Sequence, residues 1–535
     1  MFDLKKTSSD SRAQELKLRR VLLSVSDKTG IVELAKAMDR AGVELVATGR
    51  TAKVLQDAGL KITPIEKVSG SPEAFQGRMK TLSFPVCSGI LYRRGDSADE
   101  KDLESLKIQP IDGVVVNFYP FESAAAKTGI TKKDLIEEVD IGGPTLVRAA
   151  AKNAPDVLVL TSPDQYSDVI HELNTNQAIR FSTVENCAAA AWERVLSYDS
   201  AIARNLGGRG RRDLRYGENP HQKGFLEFDP AGPIAWDQTL TPVELSYNNI
   251  LDLSAAYALA SDLIEISPNS TSVVIVKHNN PCGVSSVPKN TPHAQKLALT
   301  RAWDGDPVSA FGGVLIFTDP IEEEAASWLS QHFVELVAAP GLQSNSPALR
   351  VLAEKRKKLK ALAIRRFGEI PPETLVAVPG GRLYQTSDTG NSEELKSVTR
   401  NSWPENKKVL AKFGIAVCRA LKSNAIALVR EIHTVPGAFQ LVGAGQGQPN
   451  RVEALKCLAV PRAQSVLRAS EGTLDECVMV SDAFFPFRDT VDTAHAAGIR
   501  AIVQPGGSLK DAESIAACDE NGMTMVFTGT RHFRP

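Results

Sequence analysis

The sequence predicts an α/β protein of two domains, and three observations carry that expectation. From Arg20 onward, strand-like and helix-like runs take turns: VLLSVSD, TGIVELAKAMDRAG, VELVAT, TAKVLQDAG. The strand-like runs are continuously apolar, which is the pattern of a parallel sheet covered on both faces. The chain has 535 residues, more than one hydrophobic core accommodates.

Taken in order, VLLSVSD and VELVAT are the first strands, and TGIVELAKAMDRAG and TAKVLQDAG are helices with apolar residues three and four apart. The apolar run from Gly113 to Tyr119 is a further strand. Helix DLIEEVD, turn IGGP, helix TLVRAAAKN and strand VLVLTSP extend the domain to about Pro163, and helix VENCAAAAWERVLSYDSAIARNL closes it. LGGRGRR follows, too glycine-rich and charged to pack, and reads as a linker. The expected divisions are an N-terminal extension over 1–17, a first domain over 18–205, a linker over 206–213 and a second domain over 214–535. In the second domain strand-like runs recur at SVVIVKH, GGVLIF, AVCRAL, VMVSDAFF and AIVQPGG, so mixed α/β is expected again. LRVLAEKRKKLKALAIRRF, from Leu349 to Phe367, is basic and helical in pattern and is read as a solvated helix face.

Composition narrows the function. With 43% apolar and 23% charged residues and a formal net charge of -1, the chain has no general pull on nucleic acid, so any anion site must come from local basic clusters. Seven scattered cysteines, none in a C-x-x-C arrangement, indicate neither a disulfide framework nor a zinc site and fit a reducing cytoplasm. The charged start and the lack of a long apolar run point away from export and membrane insertion.

The first domain places polar residues wherever a strand runs into a helix. Ser24, Ser26 and Lys28 follow the first strand, and a helix N-terminus offers free N–H groups to an anion. A simple cap by Ser26, Asp27 or Thr29 is the alternative there. Thr48, Gly49, Arg50 and Thr51 stand at a second such end, Arg78, Lys80 and Thr81 at a third, and Gly142, Gly143 and Pro144 open a helix bearing Arg148 and Lys152 on one face. Neither a P-loop nor GxGxxG occurs.

SVSDKTG, the turn TGRTAK, GRMKTL, NFYPF and DIGGPTLVRAAAKN, in this order over residues 18 to about 205, resemble the IMP cyclohydrolase domain, whose fold is similar to methylglyoxal synthase. The resemblance implies that Lys80, Tyr119, Asp140 and Lys152 surround the formamide undergoing ring closure, while Ser26, Lys28, Gly49, Thr51, Arg78, Thr81 and Asn117 hold the ribotide. Closure requires an amide nitrogen to lose a proton and an oxygen to leave as water, transfers that lysine, tyrosine and aspartate can share. The sequence departs from the family at Arg50, where glycine is usual, and at Ser83, Phe84, Pro85 and Cys87, which replace a His-Pro-Ala-Val-His run.

In the second domain LRYGENPHQ puts Arg215, Tyr216, Asn219 and His221 in one loop, and TSVVIVKHNNPCG ends a buried strand in Lys277 and His278. Neighbours on a regular strand face opposite sides, so both reach one ligand only if the strand breaks at Asn279-Asn280-Pro281. The tail adds SDAFFPFRD, whose Phe484, Phe485 and Phe487 read as core on pattern alone, then QPGGS and TRHFRP.

RYGENPHQ, VKHNNPCG, SAFGG, KSNAI, GAGQ, SDAFFPFRD and QPGGS, in order over 214–535, resemble AICAR transformylase, a fold similar to two cytidine-deaminase-like α/β lobes. The resemblance implies Lys277 and His278 as the proton-handling pair and Asn424 polarising the formyl group. It further implies Arg215, Tyr216, Arg451, Phe484 and Arg531 at the purine ribotide, and Val452, Asp489 and Ser508 on the folate side. The co-substrate implied is 10-formyltetrahydrofolate, and the assembly a homodimer whose transformylase sites are shared between copies. Metal chemistry is not implied, since Pro281-Cys282 lacks the second cysteine of the deaminase zinc pattern. Two competing readings are a chain with transformylase activity only and a non-catalytic ribotide sensor. Lys80, Lys152, Lys277 and His278 argue against the sensor, because binding alone needs no proton-transfer groups.

Overall fold

The computed structural model describes residues 15–127, 129–208, 210–391 and 393–535. The chain divides into two compact units, Met1–Arg209 and Gly210–Pro535.

The first unit is built on a five-stranded sheet of β1 (Arg20–Val25), β2 (Glu44–Ala47), β3 (Ile62–Pro64), β4 (Gly113–Asn117) and β5 (Leu158–Leu160). The order is β3-β2-β1-β4-β5 and every pairing is parallel. Alternate residues of β1 feed two cores: Val21 and Leu23 lie in one with α1 (Ile31–Arg40), while Leu22 lies in the other with α4 (Gly142–Lys152). Burial on both faces explains the unbroken apolar strands. The chain leaves β1 toward β2 and β3 and returns on its other side at β4, so the carboxyl ends of β1 and β4 flank the crevice where such sheets bind ligands.

Of the expected N-terminal extension, residues 1–14 lie outside the described residues. Glu15–Leu16 pairs with Ile179–Arg180, and Leu16 and Leu18 are buried, so the packed chain starts before residue 18. The expected linker is also partly structured. Leu206 ends α5 (Phe181–Leu206), and Gly210–Leu214 forms an antiparallel hairpin with Gly224–Phe228. Its charge is no obstacle: Arg211 stacks on Phe225 at 4.1 Å and pairs with Asp213.

The second unit carries an eleven-stranded mixed sheet. Its strands are β6 (Ser270–Lys277), β7 (Asn280–Pro288), β8 (Val314–Phe317), β9 (Leu336–Pro340), β10 (Lys360–Ile364), β11 (Lys396–Ser397), β12 (Ile426–Glu431), β13 (Phe439–Gly445), β14 (Val478–Ser481), β15 (Ala501–Gln504) and β16 (Thr524–Phe527). The order β10-β9-β8-β6-β7-β13-β12-β14-β15-β16-β11 contains one plan twice. In each half an antiparallel hairpin, β6–β7 or β12–β13, sets its first strand antiparallel to a third, and two parallel strands follow. Each first strand carries a register shift, at Ile275/Val276 and at Leu428/Val429. The halves join where β7 pairs antiparallel with β13. Helices α6 (Tyr247–Ile266) and α8 (Lys408–Ala420) lead into the two hairpins and share one core.

Two expectations are corrected here. AVCRAL lies mostly within α8 and is not a strand; residues 413–419 are all buried, and a helix enclosed all round shows no polar face to reveal its period. The basic segment 349–367 is not one helix. Helix Pro347–Lys355 ends, and the apolar run KALAI becomes β10.

Candidate active site

In the first unit the carboxyl ends of β1, β2 and β4 are tied together by side chains named from the sequence. Ser24 Oγ lies 2.9 Å from Thr48 Oγ1, and buried Thr51 bonds both the N–H and the carbonyl of Val25 at 3.2 Å. Asn117 Oδ1 accepts from the amides of Ser26 (2.6 Å) and Asp27 (2.9 Å), and its Nδ2 returns a bond to Asp27 O at 2.8 Å. Helix α1 is preceded by Gly30 in the left-handed region with no side-chain cap, so the Ser26, Asp27 or Thr29 cap is not formed. Lys28 Nζ folds back to the carbonyls of Val25 and Ser26 at 3.2 and 3.1 Å.

Glycines permit the next approach. A β-carbon on Gly49 would lie 2.5 Å from Lys80 Nζ, and one on Gly142 would lie 2.9 Å from Thr81 Oγ1. Lys80 and Thr81 therefore bridge the start of α2 (Gly49–Asp57) to the start of α4. Lys80 is paired with Glu73 at 2.9 Å. Asp140 Oδ1 accepts from Gly143 N at 2.8 Å, and the Asp140 amide donates to the hydroxyl of buried Tyr198 at 2.8 Å. Burial raises the Asp140 carboxyl above its ordinary range, against the pull of the Gly143, Tyr119 and Gly142 amides. Tyr119, just past the end of β4, turns its amide to Asp140 while its side chain is half exposed.

Some residues stay apart. Arg78 is exposed and paired with Glu137 at 2.6 Å, and Arg148 pairs with Asp199. Arg50 is exposed on the first turn of α2. Lys152 ends α4, about 15 Å along the axis from Gly142, where Asn153 bonds the carbonyls of Ile90 and Tyr92. Gly142, against Thr81, and Lys152 thus stand at opposite ends of α4. The replaced run begins α3 (Phe84–Leu91): Ser83 Oγ accepts from Val86 N at 3.4 Å and Pro85 sits in the first turn.

In the second unit a cleft of about 390 Å³ is lined by Lys277, His278, Asn280, Asp306, Gln446 and Arg462, among others. His278 and Asn279 have φ of 52° and 62°, and Lys277 pairs with Asn280, giving a two-residue turn. The break falls one residue earlier than Asn279, and it lets both Lys277 and His278 reach the cleft. Lys277 Nζ donates to Phe311 O at 2.5 Å, close against Gly312. Asn280 Nδ2 donates to His278 O at 3.0 Å while its Oδ1 accepts from Lys422 N at 2.9 Å, linking this turn to the segment before β12.

That segment carries Asn424. Its Oδ1 accepts from Arg451 at 2.8 Å, and its Nδ2 donates to the carbonyls of Gln448 and Pro449 at 2.9 and 3.0 Å. Arg451 is buried, donates to Asp482 Oδ1 at 2.8 Å and to Phe484 O at 3.1 Å, and has no partner on Nε. The structure thus joins Asn424, Arg451 and the Phe484 backbone. Of the three phenylalanines only Phe485 is fully buried; Phe484 is half-buried and Phe487 exposed. Val452 follows on a short helix, Asp489 opens α10 (Asp489–Ala497) and accepts the Thr490 amide on Oδ1 at 2.7 Å, and Ser508 Oγ accepts from Lys510 N at 3.1 Å.

Arg215 donates to the Tyr216 hydroxyl at 2.9 Å, Asn219 bonds Gln222, and His221 is exposed, all in the loop of the 210–228 hairpin. Arg531 is exposed over the Phe533 ring at 5.1 Å. Among the described residues none of these lines the Lys277 cleft. His532, unremarked in the sequence, is buried: Nδ1 lies 2.9 Å from Asp388, and Nε2 faces Glu393 at 3.1 Å out of hydrogen-bond alignment. Burial opposes its charge, yet Asp388 and Glu393 push it up to about 9. Asp252, Asp482 and Tyr198 were missed as well. A lone carboxylate in the apolar run ILDLSAAYAL was the one available signal for Asp252.

The sequence profile of the AICARFT/IMPCHase bienzyme matches residues 150–462, and that of the MGS-like domain matches residues 30–145. Three curated proteins named bifunctional purine biosynthesis protein PurH are similar over nearly their whole length. The one from Acetivibrio thermocellus is 39% identical over 97% of this chain and 100% of its own. Those of Aquifex aeolicus and Synechococcus elongatus are each 40% identical over 96% of this chain, covering 100% and 99% of their own.

Proposed function

This chain belongs to the AICARFT/IMPCHase bienzyme family, a bifunctional purine-biosynthesis enzyme, and we propose that its second unit transfers the formyl group and its first closes the ring. The transformylase-only and sensor readings are not favoured by relatives named bifunctional.

The carrying observation is the turn that aims Lys277 and His278 into one cleft. The aromatic 5-amino group of AICAR is a poor nucleophile, so its proton must leave as the N–C bond forms. His278 takes that proton, and Lys277 stabilises the carbonyl oxygen or protonates the departing nitrogen of 10-formyltetrahydrofolate. Asn424 polarises the formyl oxygen once it gives up Gln448 or Pro449, so the 446–450 segment moves as substrates bind. Arg215, Tyr216, Asn219, His221, Arg451, Phe484 and Arg531 serve the ribotide; Val452, Asp489 and Ser508 serve the folate.

For ring closure, Lys80, Tyr119 and Asp140 share the proton transfers. An aspartate whose carboxyl is raised by burial suits protonation of the leaving oxygen. Ser24, Ser26, Lys28, Thr48, Gly49, Thr51, Thr81, Asn117, Gly142 and Gly143 are assigned to the ribotide, and Arg78 joins them on leaving Glu137. Lys152, at the far end of α4 from Gly142, is assigned to the site of a second copy. Together with an Arg215 loop that is not among the described residues lining the Lys277 cleft, this favours a homodimer with shared sites. No described helix is long and apolar enough to cross a membrane, and we place the enzyme in the cytoplasm.

The test supplies AICAR and 10-formyltetrahydrofolate to the purified chain and follows tetrahydrofolate and IMP separately. Both rise if the proposal holds. Tetrahydrofolate without IMP beyond spontaneous closure would mean that the first unit has lost its chemistry; neither product would refute both assignments.

A further inference from the structure

The turn bearing Lys277 and His278 is one its own sequence resists. A two-residue hairpin with both residues at positive φ favours Asn-Gly, and this one holds His278 at 52° and Asn279 at 62°. A bulky side chain in the left-handed region is strained, so something outside the hairpin must hold it. The partner is on α6. Asp252, which is 9% exposed, accepts the Asn279 amide on Oδ1 at 2.7 Å and the His278 amide on Oδ2 at 3.3 Å. Two successive amides converge on one carboxylate, as in the backbone concavities that bind anions.

The surroundings leave Asp252 to this task. Glu335, the other carboxylate close by, is engaged by Asn249 Nδ2 at 2.9 Å. Burial raises the Asp252 carboxyl above its ordinary range, against the pull of the Asn279 and His278 amides. From the far side, Asn280 fastens the same turn to Lys422. The turn is therefore gripped from α6 and from the strand β12 side, with Lys277 and His278 both lining the cleft.

We infer that Asp252 is a positioning residue for formyl transfer: its carboxylate clamps the His278–Asn279 amides and so fixes where Lys277 and His278 present their nitrogens. This rests on the assignment of that pair as the proton-handling groups. Asp252 touches no substrate in this scheme and acts through the turn alone.

The experiment measures tetrahydrofolate release by the full chain and by Asp252→Ala, Asp252→Asn, Lys277→Ala and His278→Ala, with kcat and both KM values determined and thermal melting of each variant recorded. A misplacement near 1 Å at a reacting group costs about 100-fold, so Asp252→Ala should lose about 100-fold in kcat with KM for either substrate changed less than about threefold. Asp252→Asn keeps one accepting oxygen and should recover about tenfold of that loss. Where Asp252→Ala fails to fold, Asp252→Asn against the wild type decides. A kcat for Asp252→Ala within about threefold of wild type, with Lys277→Ala and His278→Ala inactive, would overturn the clamp and leave the pair standing. Active Lys277→Ala and His278→Ala proteins would instead overturn the assignment of the pair. Loss of activity that only tracks loss of folded protein, with no recovery in Asp252→Asn, also overturns the clamp.

Discussion

Replacing Arg451 with alanine should destabilise the second unit by more than the loss of a surface charge would. The guanidinium is 8% exposed and its partner Asp482 is 0% exposed, with 2.8 Å between Arg451 Nη2 and Asp482 Oδ1. Two further bonds, to Asn424 Oδ1 at 2.8 Å and to Phe484 O at 3.1 Å, end with the same side chain. Asp482 would keep the Ser423 hydroxyl but, among the described residues, no paired cation. Breaking a buried pair by removing one partner costs about 3–5 kcal/mol, because the remaining charge stays desolvated. In a unit of this size about 2 °C follows each kcal/mol, so calorimetry should show one transition lowered by about 6–10 °C. Removing both charges, as Arg451→Met with Asp482→Leu, should restore at least half of that loss, since well-packed apolar replacements of a buried pair are close to neutral. A melting point for Arg451→Ala within about 2 °C of wild type would refute the reasoning, and would return Arg451 to the role of a substrate contact with no part in the fold.

His532 makes the second unit sensitive to alkali. Its folded-state value of about 9 stands above the ordinary 6.5, so its contribution of about 3 kcal/mol is complete below pH 6.5 and is lost as the pH rises through 9. Urea unfolding from pH 6 to 10 should show that fall in the wild type and a flat profile in His532→Gln; parallel profiles would contradict it. Gly49→Ala forces a β-carbon against Lys80 Nζ at a residue with φ of 32°. Cyclisation of the formylated ribotide should drop about 10–100-fold while formyl transfer holds, and equal loss of both would count against the local account. Tyr198→Phe leaves the Asp140 amide without its acceptor. Unfolding of the first unit should weaken by about 1–3 kcal/mol, with cyclisation slowed, and unchanged melting would show that water replaces the hydroxyl.

The sheets were legible because their strands are buried on both faces and so read as unbroken apolar runs. The same property hid α8, whose buried run AVCRAL carries no polar face to distinguish helix from strand. The 206–213 stretch misled for a different reason: glycine and arginine exclude a core strand, and a solvent-facing hairpin asks for no core. At the sites, residues at strand ends were found from order and chemistry, since Ser24, Thr48, Thr51 and Asn117 meet wherever β1, β2 and β4 end side by side. Partners supplied from elsewhere in the chain were not. Asp252 reaches the His278 turn across 26 positions, Tyr198 reaches Asp140 across 58, and Asp388 reaches His532 across 144. No local pattern encodes such pairings. Lys152 shows the converse: helical spacing places it with Arg148, and the length of α4 sets it about 15 Å along the axis from Gly142.

The central claim is that two chemistries occupy two separate units of one chain, and mixing two inactive variants tests it most directly. Lys277→Ala and Lys80→Ala proteins, each given AICAR and 10-formyltetrahydrofolate, should make no IMP beyond spontaneous closure, with formylated ribotide accumulating only in the second. Combined in one tube, they should restore IMP formation, because the intermediate released by one is closed by the other. A mixture that stays inactive, or a Lys80→Ala protein that no longer transfers the formyl group, would contradict the division of labour.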